Sequence, residues 1–253
     1  MACLEISYLL HLAQVSITQH NIYALRYLQI SLKKHKLKLD MKLLIISTLL
    51  FSVNLLASTI LVVGDSHSVG PFGTSLHHLL KNERHDVSLY ASCGSIPEWW
   101  MNGKSTPCGF LAINQNGEMN SLPTAKTPLI ENLLTNMRPD VVIMEFGGNY
   151  AGYPSDEFVI KDIEKFIWKI KNSGAKCFFV TNPDTRKQQE HIPRILNLIK
   201  SAIKDECPIF ESYKVTSYPS IGGDGIHYSF PAGKPIAEAW AWAVFQAFKE
   251  VFP

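Results

Sequence analysis

Short runs of nearly unbroken apolar residues alternate along this chain with longer segments of helical periodicity, and that alternation constrains the fold most. Thr59–Val63 (TILVV), Val87–Tyr90, Val141–Phe146 (VVIMEF), Cys177–Val180 (CFFV) and Pro208–Phe210 read as strands. A strand wetted on one face alternates apolar and polar residues. These do not, so they suit a parallel sheet covered on both faces. Between them, Asp156–Asn172 carries Val159, Ile163, Phe166, Ile167 and Ile170 on one helical face, with Gly174 as a stop signal. Gln188–Lys204 places Ile192, Ile195, Leu196 and Ile199 at helical spacing, although Pro193 argues for a late start. A last helix over about Pro235–Val251 carries Ala237, Trp240, Ala241, Val244, Phe245 and Phe248, an aromatic stripe that reads as core. Strand–helix repetition of this kind predicts a doubly wound α/β domain.

One stretch breaks the pattern. Ser95 to Thr127 holds Pro97, Trp99-Trp100, Gly103, Pro107, Gly109, Asn114, Gly117 and Pro123 with no sustained period. A long irregular segment inside a compact domain is usually functional or disordered, and this one, rich in aromatic and amide groups, reads as a loop facing substrate.

The chain has 253 residues with 24 basic and 22 acidic side chains, net +2. Six of the basic residues (Arg26, Lys33, Lys34, Lys36, Lys38, Lys42) but only Glu5 and Asp40 among the acidic ones precede residue 43. From Thr59 onward that leaves 18 basic against 20 acidic, net −2, so the body offers no electrostatic case for nucleic acid. The N-terminal excess has its own explanation. Met41-Lys42 precedes the uncharged run Leu43 to Leu56 and the small residues Ala57-Ser58. A positive start, a short apolar core and a small-residue exit describe a secretory signal peptide over 41–58. The apolar run is shorter than the roughly 20 residues of a membrane span, so no stable membrane anchor is expected. On this reading 1–40 is a non-native N-terminal extension upstream of the true start. Residues 59–253 form a single exported domain, secreted or periplasmic. An oxidising compartment permits disulfides among Cys93, Cys108, Cys177 and Cys207.

The chemistry gathers at strand ends. TILVV runs into Gly64-Asp65-Ser66-His67-Ser68, which places a serine at a strand-to-helix turn, where a nucleophile is exposed. Gly94, Gly147-Gly148-Asn149 and Asp224-Gly225-Ile226-His227 each follow a predicted strand. Ligands in open α/β sheets bind outside the carboxyl ends of the strands, so these segments converge on one edge. Asp and His three apart in a turn can meet, leaving the second ring nitrogen for Ser66. Asp65 reads as a brace for the turn and Asn182-Pro183 as a turn. Glu145 is either paired in the core or aimed at the edge. His77, His78 and His85 lack ligand companions, and no metal is expected.

With these four blocks in order across residues 59–253, the chain resembles the SGNH (GDSL-type) serine esterases: Gly64-Asp65-Ser66, Gly94, Gly147-x-Asn149 and Asp224-x-x-His227. The resemblance implies a flavodoxin-like fold, a doubly wound parallel five-stranded sheet with helices on both faces. It implies Ser66 as nucleophile, His227 as base, Asp224 as its orienting acid, and an oxyanion hole from the Ser66 and Gly94 N–H groups and the Asn149 amide, with no cofactor. The family often has Asp after the third-block Asn; here Tyr150 stands there. The Gly-Asp-Ser-His-Ser form and the export signal resemble bacterial carbohydrate esterases, including those that remove O-acetyl groups from peptidoglycan. Trp99, Trp100 and Tyr150 are then candidate substrate contacts, although two tryptophans equally suit plugging the loop onto the core. A lysophospholipase or acyl thioesterase is the alternative among hydrolases; an inactive glycan-binding protein on the same fold is the alternative outside them. A Cys93–Cys108 bond would close a 15-residue loop and tie Gly94 to the tryptophan loop. Cys177 and Cys207 read as buried thiols or a second bridge.

Overall fold

The computed structural model describes residues 57–253; the readings of 1–40 and of the apolar core of the signal segment lie outside the described residues. In chain order the elements are β1 (Thr59–Gly64), α1 (Ser66–Val69), α2 (Pro71–Asn82), β2 (Asp86–Ser92), α3 (Pro97–Asn102), β3 (Ser105–Thr106), β4 (Phe110–Ile113), β5 (Met119–Leu122) and β6 (Ala125–Lys126). They continue with α4 (Ile130–Met137), β7 (Val141–Phe146), α5 (Asp156–Asn172), β8 (Lys176–Thr181), α6 (Ile192–Ile203), β9 (Ile209–Phe210) and α7 (Lys234–Val251). Strands β2, β1, β7, β8 and β9 lie side by side and parallel. That is the 2-1-3-4-5 order of a flavodoxin-like sheet.

The unbroken apolar runs are explained by two cores, one on each face. Successive strand residues point to opposite faces, so Leu61 and Val63 enter one core while Ile60 and Val62 enter the other. The same division splits Val142, Met144 and Phe146 of β7 from Val141 and Ile143. The first core is closed by α4, α5 and α6 through residues such as Leu133, Ile163, Phe166 and Ile199. The second is closed by α2 and α7 through Phe72, Leu76, Trp240 and Phe245. Helix α5 has the predicted bounds because both ends are marked. Ser155 accepts from the Phe158 N–H, Asp156 and Glu157 fill the first turn, and Lys169 and Lys171 the last. Helix α6 starts at Ile192 with Pro193 in its first turn, as the proline requires.

Two expectations are corrected. The sheet has seven strands rather than five, in the order β5-β4-β2-β1-β7-β8-β9. The two extra strands come from the stretch read as a loop: β4 pairs antiparallel with β2, and β5 antiparallel with β4. Neither had a local signal, since β4 is only four residues long and β5 is exposed throughout; the open edge of β2 organises them. The same stretch holds α3 and the small β3–β6 ladder. Among the described residues no helix is long and apolar enough to cross a membrane.

Candidate active site

Because β1 lies between β2 and β7, the turns after these three strands meet at one edge of the sheet. The first carries Asp65, whose Oδ1 accepts the His67 N–H at 2.9 Å and caps α1; Ser66 is the first residue of that helix. The long segment before α7 brings Asp224 and His227 to the same place. His227 Nε2 lies 2.9 Å from Ser66 Oγ, and His227 Nδ1 lies 2.5 Å from Asp224 Oδ2. A carboxylate beside Nδ1 fixes the proton there and leaves the Nε2 lone pair for the serine hydroxyl.

The Asp-x-x-His turn is tightly specified. Asp224 Oδ1 accepts the Ile226 and His227 N–H groups, each at 2.8 Å. Burial works against ionisation of this carboxyl, but the bonds from the His227 ring and the two backbone N–H groups win and hold it well below the usual carboxylate range. Tyr218, which the sequence did not single out, closes the turn from behind: its hydroxyl accepts the Gly225 N–H and donates to the His227 carbonyl, each at 3.0 Å.

His67 packs beside His227, its ring centroid 5.5 Å from that of His227 and 5.8 Å from Trp240. Burial, reinforced by His227, lowers its pKa to about 3, so it stands neutral next to the His227–Asp224 pair.

The residues expected to form an oxyanion hole also lie at this edge. Among the described residues, the Ser66 and Gly94 N–H groups donate to no protein acceptor. Gly94 has φ +78, a conformation that a β-carbon resists. Gly147, which starts the Asn149 loop, has φ +147, and a β-carbon there would lie 2.5 Å from Asn182 Oδ1. Asn182 is thus more than a turn residue: it is buried at the end of β8 and abuts the Asn149 loop. The Asn149 side-chain amide is held by Asp65 Oδ2 and the Ser95 carbonyl, each at 3.0 Å. An incoming oxyanion would therefore share one of its two N–H bonds.

A cavity of about 470 Å³ opens over Ser66 and His227, walled by Val69, Cys93, Cys108 and Phe230. Cys93 and Cys108 are disulfide-bonded across 15 positions. Cys177 and Cys207 form a second bridge and are not free thiols. The aromatic candidates take other places. Trp100 is fully buried and donates to Ser95 Oγ at 3.2 Å, plugging α3 onto the core. Trp99 is half-buried, stacked under Lys104 and packed near Gly94. Tyr150 is fully buried and donates to Asp162 Oδ2 at 2.6 Å; its hydroxyl is tied to α5, which corrects its reading as a substrate contact. Among the described residues no group of three or more His, Cys, Asp or Glu side chains is placed to hold a metal.

No protein-family model matches this chain, and no curated protein sequence matches it. Solved structures do. A peptidoglycan O-acetylesterase superposes with a TM-score of 0.52 at 12% identity, over 78% of this chain and 92% of the other. A family two carbohydrate esterase from Cellvibrio japonicus gives 0.51 at 14%, over 77% and 61%. The esterase EstA from Pseudoalteromonas gives 0.50 at 14%, over 76% and 99%. At such identities the likeness carries architecture, and the architecture of this chain is the SGNH (GDSL-type) hydrolase fold.

Proposed function

We propose that this chain is an exported serine esterase that removes O-acyl groups, O-acetyl above all, from a cell-envelope or other glycan. The observation that carries the reading is the unbroken hydrogen-bonded series Ser66 Oγ, His227 Nε2, His227 Nδ1, Asp224 Oδ2 at the mouth of a cavity. In this reading Ser66 attacks the ester carbonyl while His227 takes its proton. Asp224 stabilises the imidazolium that forms. The Ser66 and Gly94 N–H groups and Asn149 receive the oxyanion, and His227 then protonates the leaving alcohol. Water repeats the sequence on the acyl-enzyme and frees Ser66.

The acetyl preference is supported by the likeness in fold to a peptidoglycan O-acetylesterase. Two esterases of acetylated or carbohydrate substrates with this fold support the glycan half of the reading. Two disulfides in one domain support an oxidising compartment, and with it export.

The test is a chain-length series of p-nitrophenyl esters followed by O-acetylated peptidoglycan and xylan. Turnover confined to acetate, with acetate released from a glycan, supports the proposal. A preference for long acyl chains would move the assignment to a lysophospholipase or acyl thioesterase. Glycan binding without turnover would leave a binding protein.

A further inference from the structure

Two carboxyl groups behind the Asn149 loop take no part in the steps above. Asp65, in the turn after β1, is 1% exposed, and Glu145 of β7 is 0% exposed. Gly64 and Glu145 are register partners on adjacent strands, which brings the two carboxyls within hydrogen-bonding reach of each other. Three of their four oxygens have protein donors. Asp65 Oδ1 accepts the His67 N–H at 2.9 Å and Oδ2 the Asn149 amide at 3.0 Å. Glu145 Oε2 accepts the Ser68 hydroxyl at 2.9 Å. Glu145 Oε1 is buried and makes no hydrogen bond among the described residues, and the Asp65 N–H faces the Glu145 carboxyl.

Two anionic carboxylates cannot share such a place, because burial penalises each charge and each charge repels the other. One proton resolves the conflict, and the donors decide where it sits. Both Asp65 oxygens already accept from fixed N–H groups, so the negative charge belongs there. The oxygen that makes no hydrogen bond is on Glu145, so Glu145 carries the hydrogen.

We propose that Asp65 and Glu145 hold a single proton between them, as neutral Glu145 donating to anionic Asp65, and that this pair positions the Asn149 amide for oxyanion binding. Its kinetic consequence rests on the esterase reading; the protonation state does not. Burial first, and the Asp65 charge next, push the Glu145 carboxyl well above the ordinary range. Burial also raises Asp65, to about 6, against the bonds from the His67 N–H and Glu145 that lower it. The other ionisable groups facing the pair are His67 on α1 and His227 on the loop before α7, with Asp224 beyond His227. Acidification that protonates Asp65 as well removes the charge that holds Asn149, so turnover should fall on the acid side. Asp65→Asn should imitate that state, lowering kcat more than it raises KM.

The decisive measurement is carbon-13 NMR of carboxyl-labelled glutamate, with Glu145→Gln identifying the resonance. Expected is a protonated carboxyl at pH 7 that is absent from the variant; an ionised Glu145 at that pH overturns the proposal. In the kinetic arm, on p-nitrophenyl acetate, Glu145→Ala should lower kcat by about tenfold or more with KM changed by less than about twofold. Glu145→Gln, which keeps a donor toward Asp65 and an acceptor toward Ser68, should restore most of that loss. Equal damage from both variants, or a loss confined to KM, overturns the positioning role. Where Glu145→Ala does not fold, the spectroscopic arm decides. A wild-type protein without esterase activity would refute the esterase reading while leaving the carboxyl resonance to settle the proton.

Discussion

Removing the two disulfides one at a time should separate stability from catalysis. The Cys93–Cys108 bridge spans 15 positions and the Cys177–Cys207 bridge 30. In the chain-entropy model, loops of these lengths are worth about 3 and roughly 3.5 kcal/mol through the unfolded state. For a domain of this size each kcal/mol moves the melting temperature by about 2–4 °C, so either loss should lower it by roughly 6–14 °C, slightly more for the longer loop. Catalysis should respond to only one of them. Cys93 precedes Gly94, its N–H donates to the Gly109 carbonyl at 2.8 Å, and its carbonyl accepts the Thr106 hydroxyl at 2.7 Å. Both of its bridge's half-cystines line the cavity, whereas Cys177 and Cys207 lie in the core under α5 and α6. A fully lost oxyanion donor costs about 10²–10³ in rate; a loosened one should cost roughly tenfold. The assay is thermal unfolding by circular dichroism beside kcat and KM on p-nitrophenyl acetate, for Cys93→Ala/Cys108→Ala and for Cys177→Ala/Cys207→Ala. Equal kcat losses in the two double variants, or an unchanged kcat in the first, would refute the link from the bridge to Gly94.

Ser66→Ala should lower kcat by about 10³ or more while leaving the unfolding midpoint within error, since it removes one surface oxygen; activity near wild type would exclude it as nucleophile. His227→Ala should be as severe, and Asp224→Asn milder, because many triads keep some rate without the orienting acid. Asn149→Ala should lower kcat by about 10²–10³ with little change in KM, because the oxyanion exists only in the transition state. A rise in KM at constant kcat would make Asn149 a ground-state binding residue instead.

The parallel strands are legible in the sequence because a strand buried on both faces leaves no polar position to hide it. Ile60 to Val63 supply two residues to each core, and a short β-branched run that ends in a Gly-Asp-Ser turn suits a strand better than a helix. The Ser66–His227–Asp224 cluster is legible because its residue types are chemically specific and the short Asp224–His227 spacing is set by a single turn. What escapes the sequence depends on partners far along the chain. The β4–β5 hairpin exists because β2 has a free edge, which no local period reports. Tyr218 supports the Asp224–His227 turn through a hydroxyl whose direction follows from loop packing. Trp99 and Trp100 lie on a one-and-a-half-turn helix, where neighbours point about 100° apart. One must therefore face the core, and only the placement of α3 decides that it is Trp100.

Tyr150 shows how a departure from the family pattern can be absorbed, and it yields a stability test with a definite sign. Where the SGNH pattern often has Asp after its third-block Asn, this chain anchors the Asn149 loop by donating the Tyr150 hydroxyl to Asp162 of α5. Burial raises the Asp162 carboxyl from 3.8 to about 6 despite that bond, which by itself lowers it. A carboxyl raised on folding binds its proton more tightly in the native state. Its stabilising contribution is therefore full below about pH 4 and is lost as pH rises through about 6. Tyr150→Phe removes the donor. At pH 4 it deletes a bond to a neutral acid, worth about 0.5–1.5 kcal/mol; at pH 7 it strands a buried anion, worth about 1.5–3 kcal/mol. The loss of unfolding free energy in urea should thus be larger at pH 7 than at pH 4, and taking the difference from wild type at each pH cancels the other titrating groups. In an Asp162→Asn background the Tyr150→Phe penalty should lose its pH dependence. A penalty that is equal at the two pH values with Asp162 present would mean that the Tyr150 hydroxyl does not hold the Asn149 loop through an ionised Asp162.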